Sequence, residues 1–143
     1  MMMDSLYKPD LYEGNDPFIC ISYHQNDRIR IQNLLQKLNY RGIRIWLNDG
    51  IAPGMDTDEI IAEHIEKCDL FIAFISAQYL GVLDTVDELN YSRDVNKEHL
   101  LIFLENTPLP AGLDMRFMRS EGIRAYEMSD EDVWDRLLNI RDL

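Results

Sequence analysis

Short apolar runs alternate with amphipathic segments along most of the chain. Phe18 to Tyr23 reads Phe-Ile-Cys-Ile-Ser-Tyr, and Leu70 to Ile75 is apolar at every position. Runs of this length favour β-strands, and a strand without polar positions is typical of a parallel sheet covered by helices on both faces. We therefore predict a strand at each place and expect Leu70 to Ile75 near the centre of the sheet.

Helical periodicity follows each of these strands. The i, i+3, i+4, i+7 spacing that lines one helix face is found at Ile31, Leu34, Leu35 and Leu38. Asn26 or Asp27 is placed to cap this first helix, which should end before Gly42. A capping box, Asp56-x-x-Glu59, opens a second helix. Its broad apolar face contains Ile60, Ile61, His64, Ile65 and Cys68.

The same patterns predict the remaining elements. Further strands are expected over Ile43 to Leu47, His99 to Leu104 and Ile123 to Tyr126, and further helices over Leu83 to Lys97 and Asp130 to Arg141. Thr107 to Arg119 is expected to be an irregular connection, because Pro108 and Pro110 argue against a regular helix. Met1 to Asp16 is interpreted as a mobile lead-in, and residues 17–143 as one domain.

Alternating strands and helices within one domain predict an α/β fold of the flavodoxin-like, doubly wound type. It has a five-stranded parallel sheet with helices on both faces. In such folds ligands bind outside the carboxyl ends of the strands. The loops after the first three strands should therefore carry the function.

Composition and charge narrow the classes of function. The 143 residues carry a net charge of −12, which disfavours direct binding of nucleic acid or an anionic membrane. The longest apolar run, Leu70 to Ile75, is far too short for a spanning helix, and the N-terminus lacks a signal pattern. Cys20 and Cys68 lie in predicted core elements and are interpreted as reduced thiols. We predict a cytoplasmic protein.

The motifs of several common chemistries are missing. No glycine-rich phosphate loop follows the first strand, and no P-loop, nucleophile elbow or zinc-type Cys/His array occurs. His64 and Cys68 are only two candidate ligands, so no metal site is predicted. The third strand ends at Ser76, where a phospho-receiver domain needs an aspartate. A polar set remains at the expected carboxyl ends: Ser22, Tyr23, His24, Asp27, Asn48, Asp49 and Glu88.

This set lies in motifs that resemble those of bacterial Toll/interleukin-receptor (TIR) domains. Glu13-Gly14 with Pro17-Phe-Ile-Cys-Ile-Ser-Tyr-x-x-x-Asp27 resembles their box 1. Gly42-Ile-x-Ile-Trp-x-Asn-Asp-Gly-Ile-x-x-Gly54 is similar to their second strand and BB loop, and Cys68-Asp-Leu-Phe-Ile-Ala-Phe-Ile-Ser76 to their third strand. Asp87-Glu-Leu-Asn-Tyr91 resembles the helix that carries the glutamate of TIR NADases.

The resemblance implies an NAD-cleaving enzyme with Glu88 as the catalytic residue and NAD as substrate, without a further cofactor. The residues expected at the substrate are Ser22, Tyr23, His24, Arg28, Trp46, Asn48, Asp49 and Asp84. Arg28 and the first turn of its helix are expected to meet the pyrophosphate. Asp84 lies one turn before Glu88, and its charge should raise the pKa of one carboxyl group of this pair.

The resemblance also implies activation by oligomerisation with other TIR domains and a fused or separate sensor domain, in bacterial anti-phage defence or signalling. Self-association is expected through the BB loop, with Gly50, Ile51, Pro53 and Gly54. Two alternatives remain open. One is a scaffold that acts only by binding other TIR domains, and the other is an enzyme similar to nucleoside deoxyribosyltransferases, with a glutamate nucleophile.

Overall fold

A central parallel sheet organises the structure, a computed structural model that describes residues 6–49 and 56–141. Its strand order is β2-β1-β3-β4-β5, and all four pairings are parallel. The strands are β1 (Ile19–Ser22), β2 (Ile45–Leu47), β3 (Leu70–Ile75), β4 (Glu98–Phe103) and β5 (Glu121–Arg124). The predicted five-stranded, doubly wound α/β fold is confirmed.

Helices cover both faces of this sheet. They are α1 (Arg28–Tyr40), α2 (Thr57–Lys67), α3 (Ala77–Leu80), α4 (Leu83–Asp94), α5 (Ala111–Phe117) and α6 (Asp130–Arg141). One core joins α1 and α6 to alternate strand residues such as Ile72 and Phe74. A second core joins the other helices to the strand residues that point to the opposite face of the sheet, such as Phe71 and Ala73. In the part of the chain that the structure describes, no helix is long and apolar enough to cross a membrane.

The central position of β3 follows from its sequence. All six residues from Leu70 to Ile75 are buried, because α1 and α6 cover one face and α2 and α4 lie against the other. β3 pairs with both β1 and β4. The predicted bounds of β3 and of the last helix are confirmed.

The connection from Thr107 to Arg119 contains a helix, so the prediction of an irregular segment is wrong. Pro110 occupies the N-cap position of α5, and its carbonyl accepts from the Asp114 amide at 2.8 Å. A helix start tolerates proline because the first amides have no partner within the helix. The fifth strand also begins two residues earlier than predicted, at Glu121, and Tyr126 lies in a 3-10 turn beyond its end.

The first helix begins differently from the prediction. A 3-10 turn over Gln25–Asp27 precedes α1, and the His24 ring, through Nδ1, accepts from the Asn26 amide at 3.1 Å. Asp27 stands at the N-cap of α1, but its side chain makes no capping hydrogen bond. By contrast, the Asp56 carboxylate accepts from the Glu59 amide at the start of α2, as the capping box predicts.

Residues of the expected mobile lead-in contact the outer edge of the sheet. Leu11 forms a parallel bridge with Ile45, and the Tyr12 amide donates to the Ile45 carbonyl at 2.8 Å. The Glu13 carboxylate accepts from the Trp46 indole at 3.1 Å. These contacts give hydrogen-bond partners to polar groups of β2 that would otherwise have none within the sheet, because β2 is an edge strand.

Candidate active site

A cleft of about 330 Å³ lies between α2 and α4, beside the carboxyl ends of β1 and β2. Its lining residues are Asn48, Thr57, Asp58, Ile61, Ala62, Ile65, Asp84, Asp87, Glu88 and Tyr91. The apolar members come from the inner face of α2, and most of the acidic ones come from α4. The fold thus places a ligand-sized opening where doubly wound sheets bind ligands.

Glu88 is held in this cleft by the last residue of β1. The Ser22 hydroxyl donates to Glu88 Oε1 at 2.8 Å, and the Tyr79 hydroxyl lies 2.8 Å from the same Ser22 oxygen. An ionised carboxylate can only accept hydrogen bonds, so the Ser22 hydroxyl must donate its proton to Glu88. The Tyr79 hydroxyl must then donate to the Ser22 oxygen. Ser22 and Tyr79 are both buried, which gives a relay, Tyr79 to Ser22 to Glu88, that fixes the carboxylate.

The pKa of Glu88 is raised to about 7. Burial is the main cause, and the negative charges of Asp84 and Asp58 add to it, whereas the hydrogen bond from Ser22 acts in the opposite direction. Near neutral pH the carboxyl group therefore exists in both protonation states. This property suits a group that acts in acid-base or electrostatic catalysis in that pH range.

Replacing Ser22 by alanine is expected to raise the pKa of Glu88, because the ionised form loses a charge-assisted hydrogen bond. The midpoint should move upward by about one pH unit, measured from the side-chain carboxyl carbon by NMR. Ser92→Ala is the matched control, since Ser92 is also buried but donates to the Leu89 carbonyl at 2.6 Å. An unchanged midpoint in Ser22→Ala would show that the relay does not set the ionisation of Glu88.

Three further predicted residues lie near the opening of the cleft. Tyr23 is half-buried, and its hydroxyl donates to the Asn48 carbonyl at 3.5 Å. Burial, with a further effect of Asp49, raises the pKa of Tyr23 to about 12, so it stays a neutral donor. Asn48 and the exposed Asp84 both line the cleft.

Other predicted residues have different surroundings. The Trp46 ring is buried and stacks on the His64 ring, with 3.8 Å between centroids, so it does not line the cleft. The Arg28 guanidinium donates to the Tyr7 carbonyl at 2.6 Å and to Asp49 at 3.2 Å, which orients it toward the N-terminal segment. Of the expected BB-loop contacts, Gly50, Ile51, Pro53 and Gly54 lie outside the described residues.

A buried carboxylate links the loops at this edge of the sheet. Asp27 is fully buried and accepts from the Ser76 hydroxyl at 2.5 Å and from Arg30 at 3.0 Å. Arg30 also pairs with Glu105 at 3.0 Å, and Glu105 accepts from the Ala77 amide at 2.7 Å. The network joins the loops after β1, β3 and β4. In the sequence Asp27 was recognisable as a polar residue of box 1 and as a candidate helix cap. Its place in this buried network was not predictable, because its partner Ser76 lies far along the chain.

Tyr79, Asp58 and Tyr91 were not predicted as site residues. Tyr79 follows the third strand by a few positions, but the short helix that turns its hydroxyl toward Ser22 has no clear periodic signal. Asp58 resembles any acidic residue in the first turn of a helix, where such charges are common. Only the packing of α2 against α4 brings it to Glu88.

Comparison with known proteins supports the fold. A family model described as TIR domain matches residues 19–138. The TIR domain of a Toll-related receptor from Hydra magnipapillata is 23% identical, covers 85% of this chain and 94% of its own, and has a TM-score of 0.67. The TIR domains of the activated Roq1 resistosome, which recognises the pathogen effector XopQ, are 14% identical over 89% of this chain and 76% of theirs, with a TM-score of 0.59.

A CMP N-glycosidase from Clostridium botulinum also shares the fold. It is 18% identical, covers 73% of this chain and 84% of its own, and has a TM-score of 0.55. No curated protein sequence matches the chain.

Proposed function

Since the chain belongs to the TIR domain family, we propose that it is an NAD-cleaving TIR domain in which Glu88 is the catalytic residue. The observation that carries the proposal is the position of Glu88. Its carboxyl group lies in a cleft at the carboxyl end of the sheet, is fixed by Ser22, and has a pKa raised to about 7. A solvated surface glutamate has none of these properties.

The reaction breaks the bond between the ribose C1′ and the nicotinamide nitrogen of NAD. The bonding electrons go to the pyridinium ring, so nicotinamide leaves as a neutral molecule and positive charge develops on the ribose. Ionised Glu88 stabilises that charge, as carboxylates do in the cleavage of glycosidic bonds. Water then adds to C1′ and loses a proton to solvent, giving ADP-ribose, or the adenine ring adds and gives a cyclic product. NAD serves as substrate, and no further cofactor is proposed.

The fold neighbours support this reading of the cleft. The Clostridium botulinum protein is described as a CMP N-glycosidase, an activity that also separates a base from a ribose. The reaction class is thereby compatible with a sheet of this architecture. The identity of the base and the role of Glu88 rest on the site geometry and on the resemblance of Asp87 to Tyr91 to the TIR NADase helix.

Assembly with other TIR domains is the regulation that we propose, with a fused or separate sensor as trigger. The setting that we propose is bacterial anti-phage defence or signalling. The Roq1 neighbour, which is the TIR part of an activated resistosome, supports an immune role in general. Asp49, which pairs with Arg28 at 3.2 Å, lies directly before residues 50–54, the segment expected to contact a second copy.

The experiment is incubation of concentrated protein with NAD and a crowding agent, with separation of the products. We expect loss of NAD with stoichiometric release of nicotinamide, and the second product distinguishes a hydrolase from a cyclase. Unchanged NAD, in a sample whose self-association is shown, would contradict the proposal and favour the scaffold. Turnover of deoxynucleosides but not of NAD would favour a deoxyribosyltransferase.

A further inference from the structure

The active-site cleft changes from a polar mouth to an apolar inner end. α2 and α4 both run from the carboxyl edge of the sheet toward its amino edge, because each belongs to a connection between two parallel strands. The lining residues near the starts of these helices are polar, with Asp58 on α2 and Asp84 on α4. Two helical turns further along, the lining residues are Ile65 and Tyr91. A ligand that enters more deeply therefore meets less polar surroundings.

Tyr91 spans the inner end of the cleft. Its half-buried ring packs against the core that contains Ile65 and Leu89. Its hydroxyl donates to the Glu66 carboxylate on the opposite helix, so the side chain is held at both ends. Tyr91 follows Glu88 by three residues, which places it on the same helix face and about 4.5 Å further along the axis. The cleft thus has an end wall one short step beyond Glu88.

The charged groups of a dinucleotide fit the mouth better than the inner end. A charge is costly to bury among apolar side chains, and Ile61 and Ile65 are both buried in the α2 wall. At the mouth, Arg28 pairs with Asp49 at 3.2 Å, next to the lining residue Asn48. The buried Nη1 atom of Arg28 has no hydrogen-bond partner among the described residues. Phosphate groups therefore find solvent and a cation at the mouth.

We propose that Tyr91 is the specificity-determining residue of this cleft. It forms the end wall against which the leaving base packs, and it limits that base to a single ring. The substrate lies with this base innermost, its ribose beside Glu88 and its phosphates at the mouth. The inference rests on the proposed function, because that function places the ribosyl bond at Glu88. The apolar inner end suits nicotinamide, which is neutral once the bond has broken.

The limit of one ring follows from the short interval between Glu88 and Tyr91. A six-membered ring attached to a ribose at Glu88 fills this interval, whereas a second fused ring reaches the Tyr91 side chain. Tyr91 can move aside only by breaking its hydrogen bond to Glu66. Extra atoms in a close-packed space force side chains out of their preferred positions, and the cost corresponds to about tenfold in affinity.

The orientation of the substrate is tested by NMR on Glu88→Gln with bound NAD. This variant lacks the proposed catalytic group, so the ligand stays intact during the measurement. Nuclear Overhauser contacts are expected between the nicotinamide ring protons and the ring protons of Tyr91, and none are expected from the adenine protons. Contacts from adenine, or from neither ring, overturn the inference.

The size limit is tested by NMR titration with two free bases, nicotinamide and isoquinoline-4-carboxamide. The second base is nicotinamide with a benzene ring fused on the side away from the ring nitrogen. We expect the wild type to bind nicotinamide about tenfold more tightly, and Tyr91→Ala to bind the larger base at least as tightly as nicotinamide. Tyr91→Phe keeps the ring and should keep most of the preference. Tyr40→Ala is the matched control and should leave the preference unchanged, since Tyr40 is exposed on α1, which packs on the opposite face of the sheet.

Equal binding of the two bases by the wild type, no binding of either, or the same ratio in Tyr91→Ala overturns the inference. These outcomes are separable from the proposed function, because binding of a free base requires no turnover. The expected contacts and ratios in a protein that leaves NAD uncleaved would support the role of Tyr91 and contradict the NADase. Turnover of NAD with an unchanged ratio in Tyr91→Ala would do the reverse.

Discussion

Glu88→Gln is expected to abolish nicotinamide release while making the folded protein more stable above neutral pH. Glutamine has the shape of glutamate and accepts a hydrogen bond from Ser22, but it carries no charge to stabilise the developing oxocarbenium ion. Loss of a charge that stabilises a transition state lowers turnover by about 10³-fold. Nicotinamide release per hour from equal amounts of assembled protein measures this loss.

The same substitution is expected to raise the stability of the fold, and the cause is again the loss of the negative charge of Glu88. Burial raises the pKa of Glu88 to about 7, above the pKa of a glutamate in the unfolded chain. Between these two pKa values the folded state therefore binds more protons than the unfolded state. Stability from this group is fully present below the unfolded pKa and is lost as pH rises through 7. Glutamine avoids the loss and should stabilise the protein by about 2 kcal/mol at pH 8 and by little at pH 4.

Urea unfolding of both proteins across this pH range measures the difference. Glu63→Gln is the matched control, because Glu63 is exposed on α2 and the same chemical change should alter stability little at either pH. A Glu88→Gln protein as active as the wild type would remove Glu88 from the mechanism. One that is active and no more stable at pH 8 would also show that Glu88 titrates like a surface residue.

Asp27→Ala is expected to destabilise the fold by about 3 kcal/mol at pH 7, the typical loss when one partner of a buried charged pair is removed. Asp27 is fully buried and accepts from Ser76 and Arg30. Its removal leaves the buried Ser76 hydroxyl without this acceptor and opens a polar cavity. Urea unfolding of Asp27→Ala, Ser76→Ala and the double variant gives the coupling energy between the two side chains.

Asp130→Ala provides the comparison, since Asp130 is an exposed acidic residue at the start of α6. A loss below about 1 kcal/mol in Asp27→Ala would be an ordinary surface effect and would contradict the role of the network. Additive effects of the two single changes would show that Asp27 and Ser76 contribute separately.

Sequence patterns predicted the strands and helices that are determined by residues close together in the chain. β3 is apolar at every position, and α6 combines an acidic start with a regular apolar face, so their bounds were predicted correctly. α5 was missed because Pro110 was interpreted as breaking a helix, although it stands at the N-cap, where proline is tolerated.

The site was only partly predictable, because several of its contacts join distant residues. Glu88 was proposed as a site residue from the resemblance of its helix, but its hydrogen bond from Ser22 spans 66 positions and leaves no trace in a single sequence. Trp46 was expected at the substrate, but it packs against a helix instead. Whether an aromatic residue in a strand faces a ligand or a neighbouring helix depends on packing, and here the ring stacks on His64.

The strand order has a consequence for synthesis on the ribosome. β1 lies between β2 and β3, so a nascent chain that ends after Ile75 already contains a three-stranded sheet, and β4 and β5 are then added in order at one side. α6, which follows β5 in the chain, supplies Val133 and Leu137 to the core that contains Phe74 and Ile102. That face keeps an apolar surface open until α6 has left the ribosome, and during this interval chaperones bind nascent chains and aggregation competes with folding.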